Sequence, residues 1–171
     1  YLKNKKYRQA RDAYSKVIEI APGDAAAYAN MATASAGMGR HDEEMSYLKK
    51  ALSLSPDEPI IHFNLGAAYE RRKMTSEAVR EYRLVLAKNP GDVQALERLA
   101  DLTYKNKNYG EATGYLEALA RQYPRKLDIF VRLAYAYGET KNFAESARCY
   151  EKAVALGLRD QTLYANLAYT Y

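Results

Sequence analysis

Prolines recur at intervals of 34 residues along this 171-residue chain, and no other feature constrains the fold as strongly. The four positions are Pro22, Pro56, Pro90 and Pro124, and the next step falls on Leu158. A fixed period of about 20–50 residues is the signature of repeat architectures, in which each unit buries its apolar face against the next. With the proline counted as the thirty-second residue of a repeat, complete units begin at Ala25, Pro59, Val93 and Leu127.

The unit 59–92 shows what each repeat contains. Its apolar and small residues follow the spacing i, i+3, i+4, i+7, first in one segment and then again in a second. This spacing predicts one buried stripe on each of two helices. The residues are His62, Leu65, Gly66 and Tyr69 in the first helix, and Ala78, Tyr82 and Val85 in the second.

Three positions of the repeat carry a size pattern. The eighth position is always small: Ala32, Gly66, Ala100, Ala134, Ala168. The twenty-fourth is always large and apolar: Tyr14, Leu48, Tyr82, Leu116, Tyr150. The twentieth is small except at one residue: Ala10, Glu44, Ala78, Ala112, Ser146. Since burying an unpaired carboxylate is costly, we expect either that the helices separate locally or that Glu44 reaches solvent.

These residues resemble the tetratricopeptide repeat, whose pattern W-x2-L-G-x2-Y, A-x3-F, P is met in unit 59–92 by His62, Leu65, Gly66, Tyr69, Ala78, Tyr82 and Pro90. The resemblance covers essentially the whole chain. It implies an all-α fold, a right-handed superhelical solenoid of antiparallel helix pairs, whose concave groove commonly holds an extended or helical peptide. We expect a single array: the end of one repeat at 1–24, full repeats at 25–58, 59–92, 93–126 and 127–160, and the first helix of another at 161–171.

Local signals predict where helices begin and which face is buried. Asp24 precedes the first helix of unit 25–58 and is a good N-cap residue. Thr75 or Ser76 is predicted to cap the second helix of unit 59–92. In residues 1–24, the second helix of the incomplete repeat, the inward stripe is predicted to comprise Tyr7, Ala10, Tyr14, Val17 and Ile20.

Composition narrows the function. The net charge of +5 weakly favours an acidic partner, but it is spread over many helix faces and gives no single phosphate track, which disfavours nucleic-acid binding. The sequence contains no run of eighteen apolar residues, so no membrane insertion is predicted. The single cysteine precludes an internal disulfide and is compatible with the cytoplasm and the periplasm alike.

No catalytic or metal-binding pattern is present in the sequence. Nucleophile-elbow, phosphate-loop and H-E-x-x-H motifs are all missing, so we expect a protein that is not an enzyme and uses no cofactor. His41, His62 and the lone Cys149 lack the spacing of a zinc site, and His62 and Cys149 are interpreted as packing residues.

The sixth position of the repeat is the most informative row for binding: Asn30, Asn64, Arg98, Arg132, Asn166. An asparagine amide donates and accepts hydrogen bonds at once and can clamp a peptide backbone, whereas arginine can fork a carboxylate. This row predicts a protein or peptide partner with acidic residues or a C-terminal carboxylate. The alternative is that these asparagines only bond to a neighbouring helix.

Aromatic residues outside the packing positions extend this prediction. Most of the seventeen tyrosines, including Tyr109, fall at packing positions of the repeat. Phe63, Tyr104 and Tyr135 do not, and on the concave face they would act as anchors for a partner. The predicted centre of the binding strip is Phe63, Asn64, Arg98, Tyr104, Arg132 and Tyr135.

Three functions fit these features. The first is a non-catalytic protein–protein interaction scaffold that binds a peptide segment in its groove. The second is a structural role, in which apolar ends near residues 1–14 and 164–171 stack copies of the chain or join further repeats. The third is a substrate-presenting arm of an enzyme whose catalytic domain lies beyond residue 171.

Overall fold

The computed structural model describes residues 2–157 and residue 168, and throughout this part of the chain the regular structure is α-helical. The chain divides into two compact units, Tyr1–Pro90 and Gly91–Tyr171. The first unit contains α1 (Leu2–Ile20), α2 (Ala25–Gly37), α3 (His41–Leu54), α4 (Pro59–Arg71) and α5 (Thr75–Lys88). The second contains α6 (Val93–Lys105), α7 (Tyr109–Gln122), α8 (Leu127–Glu139) and α9 (Phe143–Ala155).

In the first unit each helix packs against the next one along the chain, and α2 also contacts α4. The connecting turns are short, so consecutive helices run antiparallel. The core lies between the helix layers and includes Leu48, Ile61 and Tyr82, all fully buried. Ala32 and Gly66, at the small position of the repeat, are buried beside them. The size pattern of the sequence is therefore the packing pattern of this unit.

The second unit repeats the arrangement with α6 on α7, α7 on α8 and α8 on α9. Leu99 and Leu116 are fully buried, and Ala134 packs with Tyr150 in one apolar cluster. Ala168, which occupies the small position of the last predicted repeat, is exposed. Within the described residues, no helix combines the length and hydropathy that a bilayer-spanning segment needs.

The N-cap predicted at Asp24 is confirmed, and the one predicted at Thr75 or Ser76 is wrong, because α5 already begins at Thr75 and its N-cap residue is Met74, which makes no side-chain cap hydrogen bond. The Asp24 carboxylate accepts a hydrogen bond from the Ala27 amide at 3.0 Å, and Asp92 accepts one from the Ala95 amide at 2.9 Å. The turn between the two helices of each repeat carries one residue in the left-handed region of backbone space. In the first repeat this residue is a glycine, and in the next three it is a lysine: Gly39 (φ 76°), Lys73 (60°), Lys107 (59°), Lys141 (62°).

The predicted inward stripe of α1 is wrong at two residues. Val17 is 37% exposed and Ile20 is 85% exposed, whereas Tyr7, Tyr14 and Ile18 are half-buried. At about 100° of rotation per residue, positions 14 and 18 lie within roughly 20° of Tyr7 around the helix. Position 17 lies about 80° away and position 20 about 140° away, so they leave the face that contacts α2.

The close approach of α4 and α5 at Gly66 generates a stability prediction. A Cβ atom added to Gly66 would lie 2.7 Å from the ring of Tyr82, which is fully buried and whose hydroxyl donates a hydrogen bond to Glu70 at 2.6 Å. Gly66→Ala should therefore lower the free energy of unfolding by about 1–3 kcal/mol, measured by urea denaturation.

Gly114 in α7 provides the matched control, because it is exposed and a Cβ atom there would meet nothing within 4 Å. Gly114→Ala should raise the free energy of unfolding by about 0.5–1 kcal/mol, since it reduces the flexibility of the unfolded chain. Equal effects of the two substitutions would contradict the packing described at Gly66.

Candidate functional site

Three tyrosines from three helices of the second unit form one aromatic cluster. Tyr104 lies on α6, Tyr109 at the start of α7 and Tyr135 on α8. The ring centroids of Tyr104 and Tyr109 are 5.3 Å apart, those of Tyr109 and Tyr135 are 5.6 Å apart, and those of Tyr104 and Tyr135 are 5.9 Å apart. Two of the pairs are edge-to-face, the geometry that aromatic quadrupoles favour. We call these residues the tyrosine cluster.

Arg132 borders the tyrosine cluster and is already paired. Its guanidinium carbon lies 5.1 Å from the ring centroid of Tyr104, and its Nη2 lies 2.8 Å from Oδ1 of Asp101. Asp128 lies further away, at 3.9 Å from Nη1. The guanidinium is thus held between α6 and α8 by a ring and a carboxylate. A carboxylate of a partner would compete with Asp101 for it.

The tyrosine cluster is partly exposed, and two of its hydroxyl groups have raised pKa values. Tyr135 is 40% exposed, whereas Tyr104 is half-buried. Burial raises the pKa of Tyr104 to about 12, with smaller contributions from its two tyrosine neighbours. Desolvation, together with the charge of Glu139, also raises the pKa of Tyr135. The hydroxyl groups of Tyr104 and Tyr135 therefore stay protonated at physiological pH, and that of Tyr135 is already hydrogen-bonded with Tyr109 and Glu139.

The other predicted binding residues are dispersed. Asn30 is exposed on α2, and Arg98 is exposed on α6. The ring of Phe63 is half-buried and packs against Tyr82 with 5.3 Å between centroids. Asn166 lies outside the described residues. Tyr109, interpreted from the sequence as a packing residue, belongs to the tyrosine cluster. Sequence reasoning could have found it, because Tyr109 begins α7 only a few residues after Tyr104, in the last turn of α6.

Glu44, the residue that breaks the size pattern, is accommodated in a way that the sequence did not predict. It is 3% exposed, so it does not reach solvent. Arg71 donates a hydrogen bond to its Oε1, and His41 Nδ1 lies 3.1 Å from its Oε2. Both oxygens of the buried carboxylate thus have a partner, and Arg71, at 40% side-chain exposure, connects the pair to solvent.

A pocket of about 120 Å³ lies beside Glu44 in the first unit. Its walls come from α2 and α4, and residues of α3 form its floor. The space is open because α2 and α4 carry short side chains here, including Ala32, Ala36 and Ala67. The lining residues are Ala32, Thr33, Ala36, Glu44, Leu48, Asn64, Ala67 and Arg71, and we call this the inner pocket.

The inner pocket and the tyrosine cluster occupy equivalent places in the repeat. Two repeats after Ala36 the chain has Tyr104, and two repeats after Ala67 it has Tyr135. Asn64 corresponds in the same way to Arg132. The same location is therefore open in the first unit and filled by aromatic rings in the second. Sequence reasoning singled out Asn64 but missed the pocket, whose signal was alanine at two positions that carry tyrosine later in the chain.

The two residues interpreted as packing residues are held within the fold. His62 is 8% exposed, with Nδ1 2.7 Å from Glu81 Oε2 and Nε2 2.8 Å from the carbonyl oxygen of Pro56. Cys149 is half-buried, and burial raises the pKa of its thiol to about 11. Among the described residues, no three His, Cys, Asp or Glu side chains are grouped as metal ligands.

Models of the tetratricopeptide repeat match most of the chain, one over residues 1–24, 25–58 and 127–156 and another over residues 59–102. The chain belongs to the tetratricopeptide-repeat family. Proteins of this family are protein-interaction scaffolds. The resemblance inferred from the spacing of apolar residues is thus confirmed.

Known proteins place this repeat chain among all-α helical-repeat folds. Anaphase-promoting complex subunit 6 of Arabidopsis thaliana is 28% identical over 98% of this chain and 32% of its own length. The crystal structure of MamA has a TM-score of 0.73 and 18% identity, with 88% of each chain covered. A chain of Naa15/Naa10 bound to HypK-THB has a TM-score of 0.80 and 19% identity over 97% of this chain and 26% of its own.

The chain spans less than two thirds of the length of the curated relatives it matches. The solved structures confirm the expected fold class, an all-α helical-repeat solenoid.

The buried pair at Glu44 generates a second prediction. Arg71→Ala removes one partner of a buried carboxylate and should lower the free energy of unfolding by about 2 kcal/mol in urea denaturation. Adding Glu44→Ala should restore most of this loss, because alanine occupies the same repeat position at the fully buried Ala78 and Ala112. Arg148→Ala is the control, since its surface pair with Glu145 should contribute less than about 0.5 kcal/mol. Arg71→Ala at wild-type stability would contradict the pairing.

Cys149 should react slowly with iodoacetamide. A thiol with a pKa near 11 has on the order of 100-fold less thiolate at pH 8 than one at its ordinary value of 9.0. Because the pKa is raised, the rate should keep rising with pH up to about pH 11. Alkylation followed by mass spectrometry, with N-acetylcysteine as the reference, measures this. Equal rates at pH 8 would show that burial does not protect the thiol.

Proposed function

We propose that this chain is a non-catalytic interaction scaffold that binds a peptide segment of a partner protein on the inner faces of its helices. The observation that carries the proposal is the tyrosine cluster, which leaves the ring of Tyr135 40% exposed beside Arg132. Large aromatic and arginine side chains dominate the energetics of protein interfaces because they bury much area with little loss of side-chain freedom. A partner that covers Tyr135 gains this area without reorganising the cluster.

The contacts favour an apolar or aromatic segment over an acidic one. Arg132 already pairs with Asp101 at 2.8 Å and lies over the ring of Tyr104, so an acidic residue of the partner must displace a carboxylate. The preference for acidic or C-terminal carboxylate ligands expected from the sequence is thus weakened at Arg132.

The relatives support a protein partner in general terms. Anaphase-promoting complex subunit 6 is, by its name, one component of a multi-protein complex, and this chain aligns with it over 98% of its residues. The proposal extends to this chain only the role of holding another protein.

Self-association is the second candidate, and one observation favours it. Ile20 is 85% exposed at the end of α1, with Val17 also exposed on the same helix. An aliphatic pair of this kind can pack against a second copy or a further repeat. Light scattering over a concentration series tests it, since a chain that stays monomeric removes this candidate. The role of substrate-presenting arm stays a prediction from the sequence.

Tyr135 and Tyr123 provide a matched pair for testing the scaffold. Both are 40% exposed in the second unit, but only Tyr135 belongs to the tyrosine cluster. Peptides are selected on the purified chain from a random display library, and dissociation constants are measured by fluorescence polarisation. Tyr135→Ala should weaken binding at least about tenfold, as expected for an interface anchor, and Tyr123→Ala should leave it within about twofold.

Equal affinities for the wild type and the Tyr135→Ala variant would show that the tyrosine cluster is not the binding surface. Failure to select any peptide would contradict the scaffold proposal as a whole.

A further inference from the structure

The inner pocket of the first unit is large enough to hold part of a partner. Its volume of about 120 Å³ compares with roughly 150 Å³ for an engineered protein cavity that binds benzene. A leucine or methionine side chain fits such a volume. Alanine would leave most of it empty, and tryptophan would exceed it.

The walls of the inner pocket are mostly apolar. Ala32 and Ala36 of α2, Ala67 of α4 and Leu48 of α3 present methyl and methylene groups to the space. Filling a pocket of this kind with an aliphatic side chain removes apolar surface from water on both partners, which stabilises the complex by about 25 cal/mol per Å². These apolar groups favour an aliphatic occupant over water.

The charges at the inner pocket are balanced within the protein. Arg71 donates to one oxygen of Glu44, and His41 Nδ1 lies 3.1 Å from the other, so each oxygen of the carboxylate already has a partner. A charged occupant, acidic or basic, would lose its hydration without meeting an unpaired opposite charge in the pocket. Charge complementarity therefore requires an uncharged side chain.

Asn64 supplies a polar group at the same place. Its amide lines the inner pocket and is half-buried, and among the described residues it makes no side-chain hydrogen bond within the protein. An amide carries two donors and an acceptor, which match the carbonyl and N–H of an extended main chain. A segment whose side chain enters the pocket thus has a partner for its backbone.

From these four observations we propose that the inner pocket accepts one uncharged aliphatic side chain, leucine or methionine in size, from an extended segment of a partner polypeptide. The inference rests on the proposed scaffold function and adds a specificity to it. The segment that binds the scaffold carries an obligatory aliphatic residue.

The second unit shows how the pocket can be closed without loss of the fold. Tyr104 occupies the place of Ala36 two repeats later, so Ala36→Tyr introduces a side chain that this repeat position already tolerates. Ala26→Tyr is the matched control, because Ala26 is exposed on the same helix and does not line the pocket. Ala67→Leu fills the pocket from the opposite wall if Ala36→Tyr fails to fold.

The experiment uses the full chain and small probes of defined chemistry. N-acetyl-leucine methylamide, its lysine analogue and its glutamate analogue are titrated against 15N-labelled protein. We expect the leucine probe to shift the amide signals of Thr33, Ala36, Asn64 and Ala67, and we expect the charged probes to leave them unchanged at equal concentration. In Ala36→Tyr these shifts should disappear, whereas in Ala26→Tyr they should persist.

The peptides selected by display then separate this inference from the scaffold proposal. If the pocket is used, these peptides share one aliphatic residue and bind Ala36→Tyr at least tenfold more weakly than Ala26→Tyr. Equal binding to these two variants, or no shift with the leucine probe, overturns the pocket inference. Failure to select any peptide still decides the scaffold proposal, and the effect of Tyr135→Ala decides only whether the tyrosine cluster belongs to the binding surface. Larger shifts with the lysine or glutamate probe than with the leucine probe would contradict the proposal that the occupant is uncharged.

Discussion

The rest of the structure depends on close contact between a small residue on the first helix of each hairpin and a large residue on the second. Gly66 shows the closest approach of two helices, since the ring of Tyr82 occupies the place that a Cβ atom would take. Ala134 and Tyr150 pack in the same way in the second unit. Because protein interiors are close-packed, this contact fixes how near the two helices approach and which faces remain outside.

Once the small and large residues hold each hairpin together, the side chains of α2 and α4 in the first unit, and of α6 and α8 in the second, that lie outside this contact are not needed for it. Their side chains can differ from repeat to repeat without affecting the core. At one location the chain carries Ala36 and Ala67, which leave the inner pocket open, and two repeats later it carries Tyr104 and Tyr135, which fill it. Variation at these positions changes the candidate binding surface and keeps the fold.

Glu44 shows what happens when variation reaches the core. A carboxylate at a position that is otherwise small would be costly to bury, yet Glu44 remains 3% exposed because Arg71 and His41 pair with both of its oxygens. The pairing stabilises the buried charge and also sets the electrical balance of the inner pocket. In this repeat, the same residue, Glu44, is thus both the exception to the packing pattern and part of the candidate binding pocket.

The sequence by itself determined the helical repeat, because the 34-residue period and the recurrence of small and large residues are properties of order along the chain. It also identified the cap at Asp24 and singled out Tyr104, Arg132 and Tyr135. Only the tertiary structure decided that Arg132 pairs with Asp101, that Tyr109 joins the cluster and that Glu44 meets Arg71. These outcomes depend on distances between side chains of different helices, and periodicity fixes which face a residue occupies without fixing which partner it meets there.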